Sequence, residues 1–329
     1  MGFNIARYRG IEEKSYELEV VTPMFLGGSD PKKAELREPS FKGMLRFWWR
    51  ATSGIGNIKQ LYEKESEIFG NTEEKSKISI KLNFSDISKS KDLIKGKKFT
   101  VKSNNRTFPI DILHYLAYGA LEYVKGSGNV VIKEYIPVGS KFVLSIRAPK
   151  NVILETDNAL RYLLTFGGLG AKSRNGFGGM YCVDIQYLTN FEKTGDLKDY
   201  TSFSSMTKLI KFPECQKWED ALSDIGLAYK DARLSLENRH SFETRALIAK
   251  PIEVKGEQNI PEYAREKRHS KPYFLHVNKL PNGRYQGQIL FLPYKFKPSD
   301  EKENYQKYIN ACNQMNQVIE SKAGGNKWQ

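Results

Sequence analysis

The sequence predicts an α+β fold in which the order strand, helix, strand, strand, helix, strand occurs once in full and once in a weaker copy. Segments with alternating apolar residues indicate the strands, and apolar residues at helical spacing indicate the helices. This order is typical of a ferredoxin-like (RRM-like) domain. The 329 residues are enough for two such domains in tandem, both with insertions. We place them at residues 1–195 and 196–329.

The first predicted domain has four strands and three helices. Its first helix has a core face at Phe41, Leu45 and Trp48, and Ser40 is its predicted N-cap. The basic, turn-rich segment 86–106 is predicted to be an insertion or a mobile loop. The predicted strands are 15–22, 77–84, 141–146 and 180–187, and the predicted helices are 41–52, 110–124 and 156–166.

The second predicted domain has the same order of strands and helices as the first, but the order is incomplete. Its predicted strands are 207–212, 274–280 and 285–294, and its predicted helices are 217–233 and 301–319. No segment after the last helix has the pattern of a final strand. We therefore expect a degenerate second copy.

The charge of the chain favours a polyanionic partner. Fifty-two basic residues against 38 acidic ones give a net charge of +14, which attracts polyanions and accelerates their association. The apolar runs are too short to span a bilayer, and the amino terminus lacks a signal-like core, so we expect a cytoplasmic protein. Three scattered cysteines and four histidines predict neither a disulfide framework nor a metal site, and no cofactor is expected.

The segment 167–180 is the most glycine-rich part of the chain, with six glycines, a lysine and an arginine in fourteen residues. Glycine lets main-chain amides approach a ligand closely, so this loop is predicted to present amide donors beside Lys172 and Arg174, an arrangement suited to phosphate. It is not a P-loop, because Ala171 separates Gly170 from the lysine, and it does not match the dinucleotide-binding pattern. The alternative is a flexible surface turn with incidental charges.

The helix predicted at 41–52 carries a basic stripe beside its apolar face. Lys42, Arg46 and Arg50 recur every four residues, and no acidic residue interrupts them between positions 39 and 56. Trp49 lies next to the stripe, where an indole can stack on a base. We interpret this face as a functional surface; the alternative is an amphipathic helix with a solvated basic edge.

Three segments resemble the motifs of one known family. They are Thr-Pro-Met-Phe-Leu-Gly-Gly at 22–28, Lys-Gly-Met-Leu-Arg-Phe-Trp-Trp-Arg at 42–50 and Gly-Gly-Leu-Gly-Ala-Lys-Ser-Arg-Asn-Gly-Phe-Gly at 167–178. On these motifs the sequence resembles the RAMP (repeat-associated mysterious protein) superfamily, and within it the first RAMP subunit of the type III-B (Cmr) CRISPR RNA-guided effector complex. The resemblance covers about residues 16–187.

The resemblance implies a non-catalytic RNA-binding subunit that acts in antiviral defence. Subunits of this family engage the 3′ portion of the guide RNA or its target, while other subunits cleave. The implied partners are guide RNA and/or target single-stranded RNA and the other Cmr subunits, and no membrane. By motif position, the implied RNA-binding residues are Lys42, Arg46, Trp49 and Arg50 in the helix, and Gly167, Gly168, Gly170, Lys172, Arg174, Gly176 and Gly178 in the loop.

Ferredoxin-like topology predicts that these two motifs form one cleft. If the first and last strands pair centrally, the loop before the last strand lies beside the loop after the first. Arg37, Lys42 and Arg46 are then expected to share a cleft with Lys172 and Arg174. A cleft of this kind contacts phosphate and ribose with little sequence preference. That property suits a variable guide RNA, for which base pairing supplies the specificity.

Two other functions remain open at this stage. Some RAMP proteins are metal-independent endoribonucleases that process the guide RNA precursor, and they use general acid–base groups. His240, flanked by Arg239 and near Arg245, is the best catalytic candidate, although a role of these residues in contacting RNA is favoured. The third function is a structural one, in which the basic surface meets acidic partner subunits.

Overall fold

The computed structural model of the chain describes residues 10–85, 87–103, 106–193, 195–238, 241–252, 260–265, 268–295 and 302–324. The elements, in chain order, are β1 (Ile11–Val20), α1 (Glu38–Thr52), α2 (Ile58–Phe69), β2 (Ser79–Asn83), β3 (Lys98–Ser103), β4 (Arg106–Asp111), α3 (Ile112–Leu116), β5 (Leu121–Val124), β6 (Gly128–Val131), β7 (Lys141–Pro149), α4 (Lys150–Phe166), β8 (Met180–Tyr181), β9 (Lys208–Cys215), α5 (Trp218–Ser235), α6 (Glu243–Ile248), α7 (Glu262–Arg265), β10 (Tyr273–Lys279), β11 (Tyr285–Phe291) and α8 (Lys302–Lys322).

The described residues form two compact units. The first takes its residues from 1–93 and 117–191, and the second from 94–116 and 192–329. The segment that contains β3, β4 and α3 therefore belongs to the second unit, although it lies within the first half of the sequence. The domain boundaries expected from the sequence, 1–195 and 196–329, stay a prediction.

The first unit is built on a four-stranded sheet in the order β2-β7-β1-β8, and every pair in it is antiparallel. The register of β1 on β7 runs from Ile11 opposite Pro149 to Glu19 opposite Lys141. Alternate β1 residues are buried in the core, where α1 and α4 pack against each other. Asp157 of α4 accepts hydrogen bonds from the Tyr16 hydroxyl and the Lys14 ammonium, and these bonds tie the helix to β1.

The second unit contains a three-stranded antiparallel sheet in the order β10-β11-β9. Helix α5 packs on all three strands, and α8 packs on α5 and α6. The β3–β4 ribbon and α3 join this unit because α3 packs on α5 and the Lys97 amide donates to the Ser223 hydroxyl over 3.0 Å.

The α+β class with antiparallel sheets is confirmed, and several element predictions are wrong. Segment 86–106 contains β3, one strand of a ribbon, rather than only a loop. The helix predicted at 110–124 ends at Leu116, and Gly119, at a φ of 86°, turns the chain into β5. Helix α2 was not predicted, and the strand predicted at 180–187 is limited to Met180–Tyr181.

Helix α1 also differs at its start. Its N-cap is Arg37 rather than Ser40, because Pro39 occupies the first turn, where a residue without an amide hydrogen is tolerated. The helix consequently begins at Glu38, whereas the apolar pattern predicts a start at residue 41, about one turn later. None of the helices among the described residues is long and apolar enough to cross a membrane. Cys182, Cys215 and Cys312 are free thiols.

Candidate nucleic-acid interface

Helix α1 is anchored by its apolar face, and this fixes where its basic residues lie. Phe41, Leu45 and Trp48 are fully buried, as their helical spacing predicts. The indole of Trp48 packs against the backbone of Gly167, where even a Cβ would lie 2.5 Å from the indole nitrogen. The glycine-rich loop therefore fits directly against α1.

Arg46 and Arg50 share one buried carboxylate. Arg46 Nε pairs with Oε1 of Glu65, Arg50 Nε lies 3.3 Å from Oε2, and the Glu65 side chain is only 6% exposed. Arg46 also donates to the Gly70 carbonyl over 3.1 Å. An acidic partner for the basic stripe thus comes from α2, and it offsets one of the two guanidinium charges. Both arginines join α1 to α2 as well as facing solvent.

Trp49 lies in the core rather than on the basic surface. Its side chain is buried, its Nε1 donates to Glu155 Oε2 over 2.6 Å, and its ring packs edge-on against Phe69. The indole is therefore engaged on both its polar and apolar sides, and we remove it from the candidate interface.

Lys42 differs from the two arginines because it is half-buried without an ion pair among the described residues. Burial, followed by the nearby positive charge of Arg46, lowers the pKa of its ammonium group. Because both influences disfavour the charged ammonium, a negatively charged ligand group beside it would stabilise that charged form. Arg37, just before α1, lies 3.6 Å from the Glu35 carboxylate on the exposed surface.

The glycines of the loop allow close backbone contacts. Gly170 and Gly178 adopt φ values of 88° and 72°, and a Cβ at these positions would lie 2.4 Å from the Phe25 carbonyl oxygen and 2.0 Å from the Leu169 carbonyl oxygen. A Cβ on Gly168 would lie 2.5 Å from the Phe177 carbonyl oxygen, and Gly176 has a φ of 91°. This loop is a packed part of the core and not a flexible turn.

Hydrogen bonds hold the loop beside the segment that follows β1, where the topology argument placed it. The Ala171 amide donates to the Phe25 carbonyl over 2.8 Å, and the Gly178 amide donates to the Pro23 carbonyl over 3.0 Å. The Leu169 and Gly179 amides are likewise engaged, with the Gly178 carbonyl and the Thr22 hydroxyl. Much of the predicted row of amide donors therefore serves the fold, and the side chains at the loop tip become the main candidates for phosphate contacts.

The tip of the loop is a tight turn that presents Lys172 and Arg174. Lys172 has a φ of 64°, and its carbonyl accepts the Asn175 amide over 2.8 Å. The Arg174 guanidinium lies over the ring of Phe47 of α1, with its carbon 5.6 Å from the ring centroid. Phe47 thus joins the two predicted motifs, although it is not among the site residues that the sequence predicts. The available signal was an aromatic residue placed off the apolar face of the helix.

The site residues predicted in the second unit have a different environment. Arg245 is buried, and its Nε donates to Glu237 Oε1 over 3.1 Å. Burial alone would raise the pKa of Glu237, but the amides of Arg245 and Thr244 and the Arg245 guanidinium hold it below its usual value. This pair stabilises the local fold. Arg239 and His240 lie outside the described residues.

The other histidines are in structural positions. His114 Nε2 lies 2.6 Å from the Ile94 carbonyl oxygen, His276 bonds Asn278, and His269 contacts the Tyr294 hydroxyl. Over the residues that the structure describes, no group of three histidine, cysteine or acidic side chains is placed to hold a metal ion.

Comparisons of sequence agree with the resemblance seen in the motifs. The family model for the RAMP superfamily matches residues 17–181. The CRISPR system Cmr subunit Cmr1-2 of Pyrococcus furiosus is 28% identical over 179 residues, which are 51% of this chain and 94% of that protein. Cmr1-1 of the same organism is 27% identical over 177 residues, which are 50% of this chain and 48% of that protein. The matched segment therefore spans about half the length of the Cmr1-1 relative.

Solved structures share the fold along most of the chain. Apo Cmr1 from Pyrococcus furiosus aligns with a TM-score of 0.53 at 18% identity, over 92% of this chain and 96% of that one. A chain of the type III-B Cmr-beta complex bound to cognate target RNA aligns with a TM-score of 0.53 at 12% identity, over 94% and 100%. Together with the match of the family model, these similarities show that the chain belongs to the RAMP superfamily.

Proposed function

We propose that this chain is a non-catalytic RNA-binding subunit of a type III-B CRISPR effector complex that acts in antiviral defence. It engages the 3′ portion of the guide RNA and/or its target single-stranded RNA, together with the other Cmr subunits. The observation that supports this most strongly is that the loop tip contacts α1 through Arg174, which lies over the Phe47 ring, and α1 also carries the half-buried Lys42. The names of the relatives support the same assignment.

The chemistry of this surface favours RNA backbone over RNA sequence. Lys42 and Lys172 are point charges suited to phosphate, and Arg174 adds a planar, hydrogen-bonding cation. Contacts of this kind position a strand without reading its bases. An RNA-guided complex requires such sequence-independent contacts, because base pairing with the guide selects the target.

We also propose that both units are ferredoxin-like. In the first unit, the four strands follow one another in the chain as β1, β2, β7 and β8, and their order in the sheet is β2-β7-β1-β8. The first strand therefore lies beside the last. In the second, β9, α5, β10, β11 and α8 follow the same order, and β9, β11 and β10 occupy the equivalent sheet positions. The described residues of that unit include no strand after α8, in agreement with a degenerate copy.

The non-catalytic assignment is supported by where the histidines lie. Residues 1–93 and 117–191, which supply the first unit, contain no histidine, so the proposed surface lacks the usual acid–base side chain. The alternative, a metal-independent endoribonuclease that processes guide RNA precursor, would depend on His240 or on lysine and tyrosine side chains as its acid–base groups.

The test measures binding of the purified chain to a fluorescent single-stranded RNA over a salt series, with the same RNA checked for cleavage in EDTA. We expect intact RNA and a steep salt dependence. Replacing Lys42 and Lys172 together by alanine should reduce the slope of log affinity against log salt by about 1.4, since each phosphate contact on a single strand contributes about 0.7.

The matched control replaces Lys81 and Lys141, two exposed lysines on strands of the same unit, by alanine. Equal slopes for the two double variants would contradict a localised interface and leave only general charge attraction. Cleaved RNA, abolished by His240→Ala, would instead establish the ribonuclease. If the Lys42/Lys172 variant binds RNA normally but no longer enters the effector complex, the surface docks a protein.

A further inference from the structure

Gly43 in α1 is not explained by any contact among the residues that the structure describes. It lies inside the helix, where glycine is about 1 kcal/mol less favourable than alanine. A Cβ built on it meets nothing within 4 Å, so packing does not require its absence. The contrast is Gly226 inside α5, where a Cβ would come within 2.7 Å of Leu116. An exposed helical glycine in open space leaves room for something that approaches the backbone from outside.

Phe47 follows Gly43 by one helical turn, so both lie on the same face of α1. Phe47 is half-buried, packs edge-on against Trp48 at a centroid distance of 5.3 Å, and has the Arg174 guanidinium over its ring. An aromatic ring paired with a guanidinium offers flat, polarisable surface that holds a nucleobase without reading its identity. The bare backbone at Gly43 provides the adjacent space for a ribose or base.

We propose that Gly43, Phe47 and Arg174 form a nucleotide subsite, in which an unpaired base of single-stranded RNA stacks on the Phe47–Arg174 pair and its sugar lies over Gly43. This inference rests on the proposed RNA-binding function and adds a contact with the base to the contacts with phosphate. It also assigns to Phe47 the stacking role that the burial of Trp49 excludes for that residue.

The first experiment compares Phe47→Leu with the unmodified protein on two RNAs of equal length, one normal and one with abasic positions throughout. Leucine keeps apolar volume against Trp48 but removes the ring. We expect Phe47→Leu to bind normal RNA about tenfold more weakly and abasic RNA as tightly as the unmodified protein does, because only a base can stack.

The second experiment tests the open space at Gly43. Gly43→Gln places a polar side chain where no described residue lies within 4 Å of the built Cβ, so the fold should be retained and thermal stability should not fall. RNA affinity should fall about tenfold. Gly56→Gln is the matched control, since Gly56 also has nothing within 4 Å of a built Cβ but lies beyond the end of α1. It should bind RNA normally.

The outcomes separate this inference from the proposed function. If the Lys42/Lys172 variant loses salt-dependent binding but Phe47→Leu and Gly43→Gln bind normal RNA fully, the subsite is wrong and the interface stands. An equal loss on normal and abasic RNA for Phe47→Leu would also overturn stacking, since Phe47 would then only position Arg174 on a phosphate. If the unmodified protein binds no RNA, the proposed function itself fails.

Discussion

At the scale of single residues, Glu65 shows how a charge can act in folding while its partners face a ligand surface. Its carboxylate is nearly inaccessible and is engaged by both Arg46 and Arg50. A buried carboxylate of this kind is tolerated only with such partners, and removing one side of the arrangement leaves buried charge without compensation. In the basic stripe of α1, both arginines are therefore tied to Glu65, whereas Lys42 has no ion pair among the described residues.

We expect Glu65→Gln to lower the free energy of unfolding by about 2 kcal/mol, because two partly exposed guanidinium groups lose a charged hydrogen-bond partner that is shielded from water. Urea unfolding followed by tryptophan fluorescence measures the change. Glu67→Gln is the control, since Glu67 lies on the same helix but pairs with Lys64 on the exposed surface. That pair should contribute less than about 1 kcal/mol. Similar losses for both variants would refute a special role for Glu65.

Lys42 predicts a pH dependence for RNA binding. Burial and the Arg46 charge lower the pKa of its ammonium group in the free protein, so it loses its proton at lower pH than exposed lysines do. RNA phosphates favour the charged form, and affinity should therefore fall as pH rises through that lowered pKa. The free energy of unfolding should increase as pH rises over this interval, because there the unfolded chain binds one more proton than the folded one.

The measurement is the affinity for 2′-O-methyl RNA, which resists alkaline hydrolysis, from about pH 7 to about pH 10. Lys42→Arg is the comparison, since a guanidinium stays charged throughout this range. We expect a steeper decline for the unmodified protein than for Lys42→Arg. Parallel curves would show that Lys42 does not titrate against the RNA.

At the scale of elements, the glycine-rich loop is a rigid support for its charged tip. Its glycines are needed for close backbone contacts, and its amides bond mainly to the chain itself. This rigidity places Arg174 against α1 without a ligand, so binding costs less ordering of the protein.

Gly178→Ala should be strongly destabilising, by about 3 kcal/mol or more, because the left-handed conformation and a steric overlap with the Leu169 carbonyl act together. The control is Gly126→Ala in the turn between β5 and β6, where φ is 91° but nothing lies within 4 Å of the built Cβ. There only the conformational cost of about 1–2 kcal/mol applies. The difference in urea midpoints tests the overlap, and equal midpoints would contradict the packed loop.

The elements also show what the sequence can and cannot predict. Strands β1 and β7 and helices α1, α4 and α5 are apparent because their apolar residues follow the period of the element. Helix α2 is hidden, since buried Glu65 and Ser66 interrupt its apolar pattern, and the arginines that pair with Glu65 lie on another helix, α1. The loop was located by composition, but the use of its amides and the contact between Arg174 and Phe47 arise only from tertiary packing.

At the scale of the whole molecule, the chain is divided differently from what a linear reading suggests. The second compact unit takes the β3–β4 ribbon and α3 from residues 94–116, between the two segments of the first unit, and joins them to β9 to α8. The apolar pattern of the sequence cannot reveal to which unit α3 belongs, because this depends on the shape of the surface on which the helix packs. Gly226 of α5 provides that surface, as a Cβ there would come within 2.7 Å of Leu116 and 3.0 Å of Ile112.

Gly226→Val therefore tests the division of the molecule. A branched side chain at this position has to displace α3, and we expect a loss of about 1–3 kcal/mol from overpacking. Hydrogen exchange should show faster exchange in 94–116 and in the strands β9 to β11, while 117–191 keeps its protection and RNA affinity is unchanged. Leu234→Val also introduces a β-branched side chain into α5, but at an exposed position. It should change neither the free energy of unfolding nor the hydrogen exchange. Loss of protection throughout 10–191 instead would mean that the ribbon and α3 are stabilised by the first unit.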